Sequence, residues 1–239
     1  RIVEFGSGSG LKTRILLENL DRPAAYLPVE ISRECLLKSA SRLAQSFPEI
    51  EILPVCADYT QELSLPASAS VADGTTIYFP GSTIGNFEPS EAAQFLRRIR
   101  DCCGHGCKLV IGVALQTDPE LLRKAYNDSR GVTAAFNRNL LWRAKRELDA
   151  QVDPDAFDHQ AVYDEAEGRI EMRLVSAGPQ SIEVKGQRRH FAPGSYITTE
   201  YSHKFTVEGF ATLAQQAGWQ QRDVWMDRQQ RFSIQYFES

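Results

Sequence analysis

Short apolar runs alternate with amphipathic helical stretches through the first half of the chain, and this alternation constrains the fold more than any other feature. The predicted strands are Arg1–Phe5, Tyr26–Ile31, Ile50–Cys56, Thr75–Phe79 and Lys108–Ala114, and the predicted helices are Leu11–Leu20, Ser32–Phe47 and Ser90–Cys103. Such alternation favours a parallel sheet covered by helices on both faces. Because crossover connections are right-handed, these units stack into a doubly wound, mostly parallel α/β fold.

The pattern changes after Leu115. The following stretches are predicted: a mostly helical region at Asp118–Leu148, an antiparallel hairpin of Glu167–Val175 with Gln180–Arg188, an extended run at Tyr196–Lys204, a helix at Val207–Ala217, and a closing strand pair of Gln220–Met226 with Arg231–Phe237. We therefore expect a core at residues 1–115, an inserted helical and hairpin region at residues 116–205, and the end of the core sheet at residues 206–239.

Composition excludes several classes of protein. The 239 residues carry a formal net charge of -4 without clustered Lys and Arg, so a nucleic-acid partner is not expected. No apolar run reaches the roughly 18 residues of a membrane span, and no secretory leader is visible, so neither a membrane partner nor secretion is expected. The odd number of cysteines, 5, favours a reducing cytoplasm. Cys102, Cys103 and Cys107 lack a second cysteine pair, so we expect thiols at a helix end and no metal site.

A glycine-rich loop follows the first predicted strand and opens the first helix, with the sequence Glu4-Phe5-Gly6-Ser7-Gly8-Ser9-Gly10. Glycines allow a ligand to approach the backbone, and a helix N-terminus favours polar or anionic groups. Glu30 ends the next strand, 20 residues after Gly10, where an acid can accept both ribose hydroxyls of an adenosine. The loop therefore indicates a site for an adenosine-containing ligand.

The spacing of the glycines departs from the dinucleotide fingerprint, which would need glycine where the chain has Leu11. It resembles instead the S-adenosylmethionine (SAM) loop of class I methyltransferases. That resemblance places Glu4 or its neighbours at the methionine ammonium group, and Asp58 and Tyr59, after the third strand, at the adenine. A dinucleotide site, a glycine turn without a ligand, and an ordinary capping role for Asp58 are the alternatives.

Residues 78–87, Tyr-Phe-Pro-Gly-Ser-Thr-Ile-Gly-Asn-Phe, follow the fourth predicted strand, where ligands bind in doubly wound sheets. Here the chain resembles the histidine Nα-methyltransferases that make trimethylhistidine (hercynine) for ergothioneine biosynthesis. The matching segments are Glu4–Lys12, Gly81–Asn86, Ala125–Asn137, Ile170–Leu174 and Thr199–Phe205. The resemblance covers essentially the whole chain, and Ala125–Asn137 is its most specific part.

The resemblance implies roles for residues at the cofactor and at the reacting nitrogen. Gly6, Gly8, Gly10, Lys12, Glu30, Asp58 and Tyr59 would bind SAM, and Gly81, Thr83 and Asn86 would form the catalytic loop. Gly81 would line the pocket close to the reacting nitrogen, and Lys12 would support the SAM side chain. A hydroxyl such as Thr83, or water, would carry the amine proton away.

The resemblance also implies a site for L-histidine. Asn86 and Tyr126 would hold the carboxylate, and Met172 would pack against the ring. Glu200 and Ser202 lie two residues apart on one strand face and would grip the imidazole. The alternative is structural: Tyr126 and Met172 as core, and Glu200 with Ser202 on a solvated strand.

Three rival functions stay open at this point. The first is methylation of another amino acid of the tryptophan type, against which the carboxylate of Glu200 argues. The second is a nicotinamide oxidoreductase, against which Leu11 argues. The third is a non-catalytic SAM-binding module. The family has a helical segment before the first strand, and this chain, which begins at Arg1, is expected to be a fragment without it. A sulfur-inserting pathway enzyme, fused or separate, is the implied partner.

Overall fold

The computed structural model describes residues 1–8 and 10–239. Its strands are β1 Ile2–Phe5, β2 Ala25–Glu30, β3 Glu51–Ile52, β4 Val55–Cys56, β5 Thr76–Phe79, β6 Lys108–Ala114, β7 Phe157–Asp164, β8 Arg169–Ser176, β9 Gln180–Val184, β10 Gln187–Phe191, β11 Tyr196–His203, β12 Gln220–Met226 and β13 Phe232–Glu238. Its α-helices are α1 Leu11–Glu18, α2 Arg33–Ser46, α3 Pro89–Cys103, α4 Pro119–Tyr126, α5 Val132–Glu147 and α6 Val207–Gln216.

The chain divides into two compact units. Unit 1 comprises Arg1–Ile84, Glu88–Leu115 and Phe205–Ser239, and unit 2 comprises Gly85–Phe87 and Gln116–Lys204. The chain thus leaves unit 1 after Leu115 and returns to it at Phe205. Among the described residues, no helix combines the length and the apolar character needed to cross a bilayer.

Unit 1 is built on an eight-stranded sheet with the order β12-β13-β6-β5-β1-β2-β3, and β4 also pairs with β2. The pairs formed by β1, β2, β5 and β6 are parallel, whereas β13 runs antiparallel to both β6 and β12. The expected doubly wound, mostly parallel α/β fold is therefore confirmed. The carboxyl ends of the parallel strands lie at one edge, which is where such sheets bind ligands.

Local sequence signals account for the helices of unit 1. The hydroxyl of Ser32 accepts a hydrogen bond from the backbone N–H of Cys35 and caps α2. Glu88 and Glu91 form a capping box at the start of α3, and Pro89 occupies its first turn. The same helix ends at Cys103 with Gly104 as its C-cap, so the predicted helix end is confirmed.

Gly112, in the middle of β6, allows a close approach within the sheet. A Cβ at this position would lie 2.2 Å from the carbonyl oxygen of Pro80 and 2.7 Å from the ring of Phe232. Pro80 follows β5 directly and begins the loop that carries Gly81. Because Gly112 has no side chain, the loop that begins at Pro80 can pass close to β6 as it leaves the sheet.

One predicted strand of unit 1 differs from the structure. The run at Ile50–Cys56 forms two short strands, β3 and β4, which pair separately with β2. Pro54 lies between them and has no N–H to donate to a ladder. The single third strand was therefore a wrong prediction, although both halves lie beside β2 as a third strand would.

The predicted hairpin of Glu167–Val175 with Gln180–Arg188 is also wrong. β8 pairs with β7 and β11 in a three-stranded sheet, whereas β9 pairs with β10 in a separate hairpin. The strand β7, which lies in a stretch for which the sequence predicted no element, supplies the missing partner. Adjacent alternating runs do not reveal which partner each of them chooses, because the pairing depends on contacts distant in sequence.

Unit 2 places one face of its three-stranded sheet against α4 and α5. One apolar cluster contains Leu141, Ala150, Val152, Phe157, Leu174 and Phe191. A second contains Leu122, Ala161, Ile170 and Met172, with Tyr126 and Tyr163 packed against it. The second cluster lies beside the polar side chains at the end of β11 that are described below.

Candidate cofactor and substrate sites

The glycine-rich loop of unit 1 has backbone φ angles that non-glycine residues adopt only with strain. Gly6, Gly8 and Gly10 have φ angles of 72°, 51° and 73°, all in the left-handed region. The loop is held at its start by a hydrogen bond of 2.8 Å from the Gly6 N–H to the carbonyl of Val29. Ser9, a member of the predicted loop, lies outside the described residues. The loop thus presents backbone without side chains at the start of α1.

Glu30 lies beside this loop at the carboxyl end of β2. Its Oε2 accepts a hydrogen bond of 3.3 Å from the Gly8 N–H, and its Oε1 accepts one of 3.0 Å from the Ser32 N–H. The carboxylate is therefore oriented by backbone donors. Its remaining lone pairs can accept hydroxyl groups from a ribose.

Glu4, which the resemblance placed with its neighbours near a ligand ammonium, is tied into unit 1 by its own hydrogen bonds. Its buried Oε2 accepts hydrogen bonds from the Tyr26 hydroxyl at 2.6 Å and from the Thr13 hydroxyl. Burial raises the pKa of the Glu4 carboxyl, and these two hydrogen bonds oppose the rise. Glu4 thereby ties β1 to α1 and β2. Lys12, assigned to the SAM side chain, is exposed, and its charge is a smaller influence that lowers the same pKa.

Tyr59 lies against the glycine loop, and Asp58 precedes it. A Cβ on Gly6 would be 3.7 Å from the Tyr59 ring, whose other neighbours are the rings of Phe5, Phe79 and Phe95 at centroid distances of 6.2, 6.1 and 5.7 Å. Burial, followed by the charges of Glu30 and Asp58, raises the pKa of Tyr59. These three side chains are therefore electrostatic neighbours.

Asp58 makes local hydrogen bonds with Thr60. Its Oδ1 accepts hydrogen bonds from the N–H and the hydroxyl of Thr60, at 2.9 and 2.7 Å. These two bonds lower the pKa of Asp58. The side chain is exposed, so a turn role for one oxygen leaves the other accessible to a ligand.

The groups at this edge of unit 1 fit an adenosyl ligand. Three left-handed glycines open the backbone, the carboxylate of Glu30 lies at the end of β2, and the ring of Tyr59 follows β4. The hydroxyl of Ser7, within the loop, is buried and has no hydrogen-bond partner among the described residues. A buried hydroxyl without a partner is costly, so a ligand that bonds to it would be favoured.

The loop after β5 brings together two of the predicted catalytic residues. A Cβ on Gly81 would lie 3.2 Å from the Thr83 hydroxyl, so these residues are in contact. Ser82, which the sequence analysis did not select, has a left-handed φ of 58°, and its hydroxyl accepts a hydrogen bond of 2.8 Å from the Ala114 N–H. This bond anchors the loop to the end of β6. A 3₁₀ turn, Thr83–Asn86, follows.

In unit 2, Glu200 and Ser202 lie on one face of β11, as expected. Glu200 pairs with Met172 and Ser202 pairs with Ile170 on the neighbouring β8. Residues opposite one another in an antiparallel pair share a face, so the two polar side chains lie beside the second apolar cluster. Burial raises the pKa of the Glu200 carboxyl, and the charge of Lys204 opposes that rise.

Tyr126, Ser202 and Lys204 form a closed polar triad. The Tyr126 and Ser202 hydroxyls are 2.9 Å apart. The Lys204 ammonium donates to the Ser202 Oγ at 2.6 Å and to the Tyr126 hydroxyl at 2.9 Å, and it lies 4.9 Å from the Tyr126 ring centroid. Lys204 is only 5% exposed. The structure therefore brings the predicted residues Tyr126 and Ser202 together around a buried cation that the sequence analysis missed.

A second network fixes the backbone of Tyr126. His159 donates from Nε2 to the Tyr126 carbonyl at 2.8 Å, and its Nδ1 accepts from the Asn137 amide at 3.0 Å. Asn137 is fully buried, donates also to the Arg173 carbonyl at 3.1 Å, and accepts from the Thr199 hydroxyl at 2.6 Å. The ring of His159 is thus oriented by partners on both nitrogens.

Asn127 anchors the end of α4 to the sheet. Its side-chain amide donates to the Ala161 carbonyl, and its side-chain oxygen accepts from the Ala161 N–H, each at 3.0 Å. Asn127, Asn137 and His159 were missed as a positioning set, although both asparagines belong to the segment Ala125–Asn137. The signal that could have found Lys204 is simpler: it continues the two-residue period of Glu200 and Ser202.

Asn86 belongs to the short segment Gly85–Phe87 of unit 2. A Cβ on Gly85 would lie 2.7 Å from the carbonyl oxygen of His203, so this segment packs against the end of β11. Asn86 itself is exposed. The backbone contact places Asn86 close in space to the strand that carries Glu200 and Ser202.

Comparisons with known proteins agree with this geometry. The family model described as "Histidine-specific methyltransferase, SAM-dependent" matches residues 1–239. A histidine N-alpha-methyltransferase of Mycolicibacterium smegmatis is 36% identical over 231 residues, which cover 95% of this chain and 71% of that protein. A protein of the same name from Mycobacterium tuberculosis is 35% identical over 240 residues, which cover 98% of this chain and 73% of that protein.

Solved structures show the same fold at low sequence identity. A SAM-dependent methyltransferase from Clostridium acetobutylicum matches with a TM-score of 0.53 and 9% identity, covering 99% of this chain and 82% of that one. The 1,6-didemethyltoxoflavin-N1-methyltransferase of Burkholderia thailandensis matches with a TM-score of 0.51 and 13% identity, covering 100% and 70%. Because the family model spans the chain from end to end, this protein belongs to the histidine-specific, SAM-dependent methyltransferases, and SAM is its cofactor.

Proposed function

We propose that the protein transfers methyl groups from SAM to the α-amino nitrogen of L-histidine and so makes trimethylhistidine in ergothioneine biosynthesis. The observation that carries this proposal is the polar group of Glu200, Ser202 and Lys204 beside the apolar Met172 and the ring of Tyr126. Apolar walls suit the faces of a small aromatic ring, and the polar groups suit hydrogen-bonding atoms on its edge. Imidazole has both properties, whereas the long edge of an indole is apolar.

The names of relatives support the same pathway. Besides the two histidine N-alpha-methyltransferases, an "Ergothioneine biosynthesis protein 1" of Neurospora crassa is 30% identical over 231 residues, which cover 94% of this chain and 26% of that protein. We propose that this chain serves the same pathway and that a sulfur-inserting enzyme, fused or separate, follows it.

We propose that residues 1–115 and 206–239 bind SAM and that residues 116–205 bind histidine. The SAM-binding residues of this proposal are Gly6, Gly8, Gly10, Lys12, Glu30, Asp58 and Tyr59. Glu30 would accept the ribose hydroxyls, and Tyr59 would contact the adenine. When bound, SAM supplies an electrophilic methyl carbon.

The remaining residues would bind and orient histidine. The side-chain amide of Asn86 and the hydroxyl of Tyr126 are neutral donors suited to the carboxylate, and Met172 offers a soft apolar surface to the ring. Glu200 and Ser202 would hold the two ring nitrogens. Gly81, which has no side chain, would leave room for a nitrogen that grows with each methylation.

The nucleophile must be the neutral amine, since protonation removes its lone pair. A free α-amino group has a pKa near 8, so part of it is neutral close to pH 7 without a strong base. The hydroxyl of Thr83, or water, would take the proton. Fixing amine and methyl donor in line contributes most of the acceleration, because alignment is worth roughly 7–11 kcal/mol in favourable cases.

We further propose a cytoplasmic location, with no nucleic-acid or membrane partner. All five cysteines are free thiols, which suits a reducing compartment. Fractionation of cells that express the protein, followed by immunoblotting, tests the location. Recovery in the membrane or secreted fraction would contradict it.

Incubation with methyl-labelled SAM and single amino acids tests the proposed reaction. We expect label in histidine and in its di- and trimethylated forms. Methylation of tryptophan and not of histidine would show that the proposed substrate is wrong. Binding of SAM by calorimetry without any transfer would indicate a binding module. The same assay on a chain extended at its N-terminus tests whether a preceding helical segment contributes to the site.

Two substitutions test the histidine site. Glu200→Ala is expected to weaken histidine binding by about 1.5–3 kcal/mol, the typical value of a hydrogen bond to a charged group. Asn86→Ala is expected to weaken histidine binding while leaving SAM binding unchanged. An unchanged histidine affinity would remove the substituted residue from the site, and equal losses for both ligands would indicate misfolding.

A further inference from the structure

The ammonium of Lys204 is buried beside the two hydroxyls proposed to meet the substrate. Within the part of the chain that the structure describes, Nζ has two hydrogen-bond acceptors, the hydroxyls of Tyr126 and Ser202. Its backbone is held in place as well, because its N–H donates to the Gly168 carbonyl at 2.8 Å and its carbonyl accepts from the Gln116 amide at 3.1 Å. The position of the cation is therefore defined from both ends.

A count of hydrogens and lone pairs shows what this triad offers a ligand. The ammonium has three hydrogens and the two hydroxyls have one each, whereas the two hydroxyl oxygens have four lone pairs between them. The three bonds within the triad use three hydrogens and three lone pairs. Two hydrogens and a single lone pair are left over. The triad is therefore a net donor, whereas without Lys204 the two hydroxyls would keep one hydrogen and three lone pairs and would mainly accept.

Glu200 presents the opposite character on the same strand face. Its ionised carboxylate is an acceptor only. Glu200 and Ser202 are two residues apart in a regular part of β11, so their positions are separated by roughly 6.6 Å. A five-membered ring with a hydrogen bond of about 2.8 Å at each nitrogen spans a similar length.

We propose that Lys204 is a specificity-determining positioning residue that makes the site select the neutral imidazole and a single tautomer of it. This inference rests on the proposed histidine substrate. The ring N–H donates to Glu200, and the unprotonated ring nitrogen accepts from the triad. An imidazolium ring has an N–H on both nitrogens, so it would direct a hydrogen at a net donor and a positive charge at a buried ammonium.

Titratable and charged groups surround the triad on each element that packs against it. Four of these groups lie on the same face of the three-stranded sheet as the triad: Glu200 on β11, Tyr126 on α4, Tyr163 on β7, and His159, which contacts the Tyr126 carbonyl. His203 and Glu171 lie on the opposite face. Protonation of any of these protein groups, and first of Glu200 because it would contact the ring, would also change binding at low pH. The experiment must therefore separate protonation of the ligand ring from protonation of the protein.

The test is calorimetric titration of L-histidine into the protein saturated with S-adenosylhomocysteine, between pH 7.5 and pH 5.5. With a ring pKa near 6.5, the neutral fraction falls about tenfold over this range, and the affinity of the wild type is expected to fall about tenfold. A triazole analogue of histidine, whose ring stays neutral throughout, reports the contribution of the protein's own titratable groups. Its affinity is expected to change less than twofold.

Lys204→Met keeps the length of the apolar stem and removes the cation and its donors. We expect its histidine affinity to fall less than threefold from pH 7.5 to pH 5.5, because the freed hydroxyls can accept from an imidazolium beside Glu200. Lys124→Met, at an exposed position of α4, is the matched control and is expected to keep the tenfold fall. Lys204→Gln replaces Lys204→Met if the latter does not fold, since its amide can accept as well as donate.

A tenfold fall retained in the Lys204 variant would overturn the role of Lys204, as would a wild-type affinity that does not change with pH. Either result would leave histidine binding, and with it the proposed function, intact. Failure of the wild type to bind histidine at pH 7.5 would instead contradict the proposed function itself.

Discussion

Replacing Asn137 by alanine is expected to lower the free energy of unfolding by about 2–4 kcal/mol. Asn137 is fully buried and makes three side-chain hydrogen bonds, to His159, to the Arg173 carbonyl and to Thr199. A typical buried hydrogen bond contributes about 1 kcal/mol net, and a buried group left without a partner costs about 1–3 kcal/mol. The expected loss of about 2–4 kcal/mol combines the lost hydrogen bonds with the cost of those partner groups that are left without another hydrogen bond.

The three partners are not affected equally. The Thr199 hydroxyl also donates to the Met172 carbonyl at 3.0 Å, so it keeps an acceptor after the substitution. The Nδ1 of His159 loses its donor, and the Arg173 carbonyl loses a side-chain donor. Since His159 holds the Tyr126 carbonyl, histidine affinity is expected to fall together with stability.

Equilibrium urea unfolding monitored by tryptophan fluorescence measures the effect, with Trp142 on α5 as a reporter in the same helix as Asn137. Asn139→Ala is the matched control, because it removes the same side chain from an exposed position of that helix. Such surface substitutions usually change stability by less than about 0.5 kcal/mol. Equal stability of the Asn137 variant and the wild type, or equal losses in both variants, would refute the reasoning.

Three further predictions concern unit 1. Gly112→Ala is expected to destabilise the fold by about 1–3 kcal/mol or more, measured by thermal unfolding, because its Cβ would lie 2.2 Å from the Pro80 carbonyl oxygen; unchanged stability would contradict the close approach. Hydrogen bonds from Ser68 and two backbone N–H groups lower the pKa of Glu51 to about 2. The ionised Glu51 carboxylate therefore stabilises the fold fully above about pH 4.5, and this stabilisation is lost as the pH falls towards 2. Unfolding temperatures of Glu51→Gln should therefore fall less than those of the wild type between pH 5 and pH 2.5, and parallel curves would contradict this. Glu30→Ala is expected to weaken S-adenosylhomocysteine binding by about 1.5–3 kcal/mol in calorimetry, and an unchanged affinity would remove Glu30 from the adenosyl site.

The core of the fold could be predicted because its signals are local. Four of the first five predicted strands and the three helices are short segments whose apolar periodicity is visible within a window of a few residues, and right-handed crossovers then stack them into a doubly wound sheet. The hairpin of Glu167–Val175 with Gln180–Arg188 failed for the converse reason. β8 pairs with β11, whose nearest residue lies 20 positions later in the chain, and no local pattern encodes that choice.

For the candidate histidine site, too, the local features could be predicted from the sequence and the long-range contacts could not. The two-residue period of β11 was enough to put Glu200 and Ser202 on one face, since side chains alternate along any strand. Burial of Lys204 between two hydroxyls could not be inferred, because it depends on α4 delivering Tyr126 to the end of β11. A lysine in an alternating strand otherwise indicates an exposed face.

Sequence alone determined the doubly wound sheet, the glycine loop with its following acid, and the residue types available for an adenosyl ligand and a heteroaromatic one. Tertiary structure alone decided which of these groups face one another and which are sequestered: Glu4 bonds to Tyr26 and Thr13, and Tyr126 is held by His159 and Asn137. The physical reason is that hydrogen-bond direction and desolvation depend on neighbours that are distant in the chain and become adjacent only when the core is packed.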